Sequence, residues 1–318
     1  MSPDLPPAGR ASEALVRAAA LSATRCTVCG GEGFVSAFGN GTVPTAAHGQ
    51  REVYRITHSH RDLVPSVMRC CGCGLGVLPV ALRAVTEATY VEAKDPSYLE
   101  QAEERVYNAD RLLQVLPAVG RLLDVGCACG FLLVAARQRG FTVQGLEPSL
   151  WAADYARREF ALAVWRGSLE EAPFEPGSFE AIVLADTIEH LNDPRGAVAA
   201  AHRWLVPGGH ALLLTPDFGS FVARLLGQHW WALLDDHYYY FTRATLRRLL
   251  ESEGFVVERI AAFGRVFPLS HWIFKLSQYS TRLHTALQTL TRAMRIERLH
   301  LPLNLGDQMV CLARKRAD

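Results

Sequence analysis

Four cysteines fall in two Cys-x-x-Cys pairs, Cys26 with Cys29 and Cys70 with Cys73, and each pair is followed by a glycine, Gly30 or Gly74. The spacing lets two thiolates converge on one ion, and the glycine permits the positive φ such a turn needs. Four thiolates suit tetrahedral zinc and leave no coordination position for chemistry, so a zinc here is structural. Reduced, unligated thiols or a redox pair are the competing readings. A second group lies in Leu184–Leu191, with Asp186, Glu189 and His190. A helical turn there puts the three on one face, as donors for a divalent cation. Alternatively, His190 acts as a general base with Glu189 orienting its ring. The bland reading is a capping aspartate beside a packed histidine. A third group, Trp230-Trp231 followed by Asp236-His237-Tyr238-Tyr239-Tyr240-Phe241, suits the wall of an acceptor pocket, with His237 as a second candidate base.

The segment Leu122–Gly130 carries Asp124, Gly126, Ala128 and Gly130. Its glycines let a ligand lie against the backbone, and Glu147, 21 residues beyond Gly126, can accept hydrogen bonds from both hydroxyls of a ribose. Two nucleotide fingerprints fail. A dinucleotide loop needs glycine where Ala128 and Phe131 stand, and no Lys-Ser or Lys-Thr follows to make a P-loop. Asp124 suits a cationic cofactor rather than a pyrophosphate.

On these residues the sequence resembles the class I S-adenosylmethionine-dependent methyltransferases, whose first motif reads D-x-G-x-G-x-G; Ala128 stands in for the middle glycine. The resemblance implies S-adenosylmethionine as cofactor, Glu147 on its ribose, and Ser168 and Leu169 against its adenine. Asp186 counts with the cofactor-binding residues as well as with the metal donors. The Asp186–His190 stretch is similar to the E-x-x-E-H element of the ubiquinone-pathway O-methyltransferases, which is implicated in metal-assisted catalysis. Here Asp shortens the first ligand by a methylene. The resemblance extends over roughly residues 25 to 315 and is strongest from Leu122 to Phe241. Similar proteins serve polysaccharide, lipid and secondary-metabolite pathways. The cysteine module also resembles that of deoxysugar C-methyltransferases, whose further large C-terminal domain is absent from these 318 residues.

Positioning these groups requires an α/β domain. Expected strands at Arg121–Val125, Phe141–Leu146, Ala161–Trp165, Phe179–Ala185 and His210–Thr215 alternate with helices at Phe131–Arg139, Ser149–Phe160 and Pro194–Leu205. That alternation implies a mostly parallel, Rossmann-like sheet covered on both faces, with the last strand antiparallel. The expected organisation is a disordered tail (1–24), a zinc-ribbon-like module (25–80) with a hairpin near Arg51–Thr57, and a linker with a leading amphipathic helix (81–120). The methyltransferase core (121–264), a basic helical insertion (265–305) and the closing strand (306–318) follow.

Lys plus Arg number 33 against 32 Asp plus Glu, a net charge of +1. Such balance disfavours a nucleic-acid binder, and no Asn/Asp-Pro-Pro-Tyr follows the fourth strand to handle the exocyclic amine of a base. No apolar run is long enough to span a membrane, and the expected location is the cytoplasm. Between Arg265 and His300 stand six basic residues and one acid, with Trp272, Leu276, Tyr279, Leu283, Leu287, Leu290 and Met294 on one expected stripe. Such a segment packs on its own domain, lies on an anionic membrane or forms a dimer seam through residues 268–300. The expected function is O-methylation of a small, sugar or lipid-linked acceptor. Sugar C-methylation, RNA methylation and a degenerate fold that only binds a partner are the alternatives.

Overall fold

The computed structural model describes residues 25–38, 67–78, 90–234, 236–277 and 279–317. The expected tail and the hairpin near residues 51–57 lie outside them. Near the amino end, β1 (Phe34–Phe38), β2 (Val67–Cys70) and β3 (Gly76–Val77) form an antiparallel sheet. Each cysteine pair sits in a tight turn. Gly30 N–H donates to the Cys26 carbonyl (2.8 Å) and Gly74 N–H to that of Cys70 (2.9 Å). Both glycines have positive φ, +74° and +84°, which a Cβ would strain.

A 3-10 stretch, Pro96–Gln101, leads into α1 (Ala102–Leu113), where a single helix was expected. The core then alternates: β4 (Arg121–Val125), α2 (Phe131–Gln138), β5 (Thr142–Glu147), α3 (Leu150–Phe160), β6 (Val164–Arg166), β7 (Phe179–Ala185), α4 (Pro194–Trp204) and β8 (Leu205–Pro216). Strand β6 starts later than the pattern suggests because Ala161 takes a left-handed conformation (φ +50°) that ends α3. Next come α5 (Phe221–Leu226), β9 (Tyr239–Tyr240), α6 (Arg243–Ser252) and β10 (Phe255–Ala262). The sheet order is β10-β13-β8-β7-β4-β5-β6, where β13 (Gln308–Lys315) runs antiparallel to both neighbours and the other pairings are parallel. Strand order reverses between β4 and β7, which opens a crevice at their carboxyl ends, the place where ligands bind such sheets.

The cysteine module shares the core. Cys26, Val28, Cys70, Leu75, Val77 and Leu78 belong to one apolar cluster with Trp204, Leu249 and Phe255 on one face of the large sheet. Strand β3 also pairs with β9, extending the small sheet to β1-β2-β3-β9.

The insertion departs from the single expected stripe. It holds β11 (Arg265–Pro268), α7 (Leu269–Leu276), α8 (Thr281–Ala293) and β12 (His300–Leu303), with β11 and β12 paired antiparallel. Two serines divide the helices: the Ser277 hydroxyl bonds back to the Phe274 carbonyl, and Ser280 caps α8 by accepting from Leu283 N–H. Ile273 is buried, whereas Leu283, Leu290 and Met294 are 48%, 54% and 58% exposed, so most of the α8 stripe is uncovered. Among the described residues no helix is long and apolar enough to cross a membrane.

Candidate active site

The loop from β4 to α2 is shaped by its glycines. A Cβ on Gly126 would meet Thr187 Oγ1 at 2.7 Å, and one on Gly130 would meet Leu162 Cδ1 at 2.6 Å; both φ angles are positive. Ala128, in the middle position, also takes a positive φ (+45°). Its strained conformation aims the Ala128 N–H at Glu147 Oε2 (2.8 Å), while Ser149 N–H donates to Oε1 (2.8 Å). Glu147 is wholly buried, and burial pushes its carboxyl up to about 7 against the pull of these two donors and of the Tyr90 hydroxyl. Asp124, equally enclosed, is raised by burial and then by the neighbouring Glu147 charge. With three of its roughly four acceptor sites taken by Ala128, Ser149 and Tyr90, Glu147 keeps one for a ribose hydroxyl, and the two crowded acids favour a positively charged ligand. The chemistry of this donor set fits S-adenosylmethionine. Ser168 and Leu169 follow β6, which pairs with β5 up to Glu147, so they lie at the same edge of the sheet.

Asp186 does not share a helical face with Glu189 and His190. It takes a left-handed conformation (φ +51°) that stops β7, and both carboxylate oxygens accept from Arg265 Nη2 at 2.5 Å. Only residues Ile188–His190 form a 3-10 turn. The residues that converge are instead Glu189, His190 and His237, each offering a ligand atom within 4.8 Å of the others. The imidazoles of His190 and His237 meet edge to face at 4.7 Å.

The protons in this group can be located. His190 Nδ1 lies 2.8 Å from the Asp236 carbonyl oxygen, which can only accept, so Nδ1 carries a hydrogen and Nε2 is the basic nitrogen of the neutral ring. Burial lowers the His190 pKa, but the Asp236 and Glu189 charges outweigh it, and the net shift is upward. Glu189 receives a hydrogen bond from Thr215 Oγ1 (2.9 Å) on Oε2, while Oε1 is buried without a partner. Burial brings its carboxyl to about 7, opposed by His190. His237 is driven down to about 4, first by burial and then by the His190 charge, and its buried Nδ1 has no partner. Glu189 therefore accepts from Thr215 rather than orienting the His190 ring; the Asp236 carbonyl does that. Buried polar atoms left unpaired are costly, and here they point to a ligand that binds among them.

The cysteine sulfurs converge as well. Facing pairs Cys26–Cys73 and Cys29–Cys70 stand 3.5 Å apart, and all four lie within 4.8 Å of one another. Four sulfurs around one zinc lie roughly 3.8 Å apart, given Zn–S bonds of about 2.3 Å, so the cluster fits a zinc and is too wide for disulfides. Burial pushes the Cys70 thiol up, but the backbone N–H groups of Cys73 and Gly72 outweigh it and bring it to about 7.

A methyltransferase domain family matches residues 98–260, just over half of the chain. The chain belongs to the methyltransferase domain family. The ubiquinone biosynthesis O-methyltransferase of Pseudomonas aeruginosa (strain LESB58) is 36% identical over 101 residues, 30% of this chain and 44% of that protein. The protein of the same description from Alkalilimnicola ehrlichii is 36% identical over 115 residues, 34% of this chain and 47% of that one. The chain thus spans less than half the length of the curated relatives it matches. A solved chain from the complex between the Haloferax volcanii Trm112 methyltransferase activator and a methyltransferase superposes with a TM-score of 0.50 at 16% identity, covering 68% of this chain and 92% of that one. That likeness is one of fold. The strand order and the glycine loop of this methyltransferase are those of the class I, S-adenosylmethionine-dependent kind.

Sequence reasoning missed Tyr90, Thr215 and Arg265, and gave Asp236 no role of its own. Asp236 had a local signal in its place beside His237. Arg265 had none, because its partner Asp186 lies 79 residues away.

Two outcomes follow from the loop. Ala128→Gly relieves the positive φ and raises stability by about 1 kcal/mol, read as a higher denaturation midpoint. The folded Glu147 pKa of about 7 exceeds its ordinary 4.5, so its contribution is complete below about pH 4.5 and lost as pH rises through about 7. The melting temperature of the ligand-free methyltransferase should fall between about pH 4.5 and pH 7 and level off above that, and Glu147→Gln should flatten that fall.

Proposed function

We propose that this protein transfers the methyl group of S-adenosylmethionine to an oxygen of a small, sugar or lipid-linked acceptor, with His190 as general base. The observation that carries this reading is the hydrogen bond from His190 Nδ1 to the Asp236 carbonyl (2.8 Å), which leaves Nε2 as the basic nitrogen of a ring clustered with His237 and with Glu189, whose Oε1 is unpartnered. Bound S-adenosylmethionine supplies an electrophilic methyl on a positive sulfur, with a neutral thioether as leaving group. Asp124, the loop Gly126–Gly130, Glu147, Ser168 and Leu169 hold that cofactor, and Asp186, through Arg265, borders the crevice. His190 Nε2 takes the acceptor hydroxyl proton as oxygen attacks, and the charges of Asp236 and Glu189 stabilise the imidazolium that results. His237, uncharged at neutral pH, accepts or donates a hydrogen bond to the acceptor. The curated O-methyltransferase relatives support oxygen as the nucleophile. Alternatively, the Glu189–His190–His237 cluster could hold a divalent cation, in which case His190 serves as a ligand and not as the base; Cys26, Cys29, Cys70 and Cys73 support one structural zinc.

Acceptor screening with methyl-labelled cofactor tests the reading. His190→Ala should lower transfer by roughly a hundredfold or more while leaving the affinity for the demethylated cofactor unchanged; Glu147→Ala should weaken that affinity. With the His190 pKa raised, the acidic limb of the pH–rate profile should fall above the ordinary histidine value. A His190→Ala protein of unaltered rate would end the proposal.

The exposed Leu283, Leu290 and Met294, with Arg282, Arg292, Arg295 and Arg298 nearby in sequence, support peripheral contact of the insertion with an anionic membrane, a setting suited to a lipid-linked acceptor. Vesicles containing phosphatidylglycerol should co-sediment with the protein in a salt-sensitive manner, and Leu283→Glu with Leu290→Glu should abolish this. Concentration-dependent dimerisation without vesicle binding would favour a dimer seam instead.

A further inference from the structure

The two cysteine turns are fastened to the two halves of the histidine cluster. The first turn is held by Arg195, whose Nε donates to the Thr27 carbonyl (2.7 Å) and whose Nη2 donates to that of Val28 (3.3 Å). Arg195 is the second residue of α4, five residues after His190, and is itself paired with Glu253. The second turn, Cys70–Cys73, closes the β2–β3 hairpin, with Cys70 N–H bonded to the Leu75 carbonyl (2.9 Å). Strand β3 then pairs with β9, Gly76 opposite Tyr240 and Val77 opposite Tyr239. Leu78 N–H continues the ladder to the Tyr238 carbonyl (2.8 Å), and Tyr238 N–H donates to the Glu189 carbonyl (2.8 Å). His237 is the residue just before this ladder.

Contact at β9 is close enough to need a glycine. A Cβ on Gly76 would stand 2.8 Å from Tyr240 Cβ and 3.1 Å from Phe218 Cε1. Strand β3 has only two residues, and so short a pairing is weak unless something fixes the turn behind it.

We infer that a metal bridging the two cysteine turns is the positioning device that holds the His237 segment against the Glu189–His190 segment. The ion joins Cys26 and Cys29, anchored on α4, to Cys70 and Cys73, anchored through β3 on β9. The module is in this sense a wall of the active site, with four thiolates that touch no substrate. The catalytic role of the histidines rests on the preceding reading, but the mechanical coupling does not.

Amide hydrogen exchange on the full chain, zinc-loaded and after chelation, tests this. Loss of zinc should speed exchange at Tyr238 and Leu78 by about tenfold or more, while β4 and β8 stay protected and S-adenosylhomocysteine affinity changes by less than about twofold. Unchanged protection at Tyr238 and Leu78 in the metal-free protein would overturn the inference. If chelation unfolds the whole chain, Gly76→Leu decides. It keeps one zinc per chain and should free the Tyr238 amide; a zinc-loaded variant with wild-type protection there overturns the coupling. Coupling that holds while His190→Ala and His237→Ala leave methyl transfer intact would remove the catalytic reading alone.

Discussion

The hydrogen bond between His190 Nδ1 and the Asp236 carbonyl joins two parts of the chain that the fold brings in from different directions. His190 ends the 3-10 turn that follows β7, at the centre of the sheet, next to the buried Ile188 and Glu189. Asp236 comes from the segment before β9, which belongs to the small cysteine-bearing sheet. Because a carbonyl cannot donate, this one contact fixes the ring's tautomer and its orientation together. The buried Glu189 and the depressed His237 then have defined roles around an imidazole whose basic nitrogen is already chosen.

Charge follows the same geography. Asp124, Glu147, Asp186, Glu189 and Asp236 gather near the carboxyl ends of β4, β5 and β7, and Arg265 reaches in from the insertion to pair with Asp186. Burial raises the pKa values of Asp124, Glu147 and Glu189 and favours ligands that bring positive charge or hydroxyl donors. A sulfonium cofactor with a ribose brings both. The acidic crevice thus suits a cationic methyl donor, while the overall charge of +1 balances it with basic residues elsewhere, Arg282, Arg292, Arg295 and Arg298 of the insertion among them.

Much of this was legible in the sequence where local rules operate. Strands β4 and β7 run over the residues that periodicity indicates, and Gly30 and Gly74 take the positive φ that metal-binding turns call for. The positions of Gly126 and Gly130 follow from motif spacing, although the atoms that exclude a side chain there belong to Thr187, Leu162 and Ala156. What stayed hidden depends on contacts between distant segments. The Asp186–Arg265 pair spans 79 residues, and strands of two residues such as β3 and β9 carry no period to read. A helical pattern also ran on through Ser277 and Ser280, because apolar spacing does not register the hydrogen bonds that end one helix and begin the next.

The central claim is that His190 keeps its proton on Nδ1 and presents a basic Nε2 to the acceptor. Two-bond nitrogen–proton correlation spectra of the zinc-loaded protein with labelled histidine, recorded above the His190 pKa and assigned with His190→Gln, read that tautomer directly. The account predicts a protonated Nδ1 and a bare Nε2. A proton on Nε2 in the neutral ring would contradict it, because the hydrogen bond to Asp236 and the general base would both be lost.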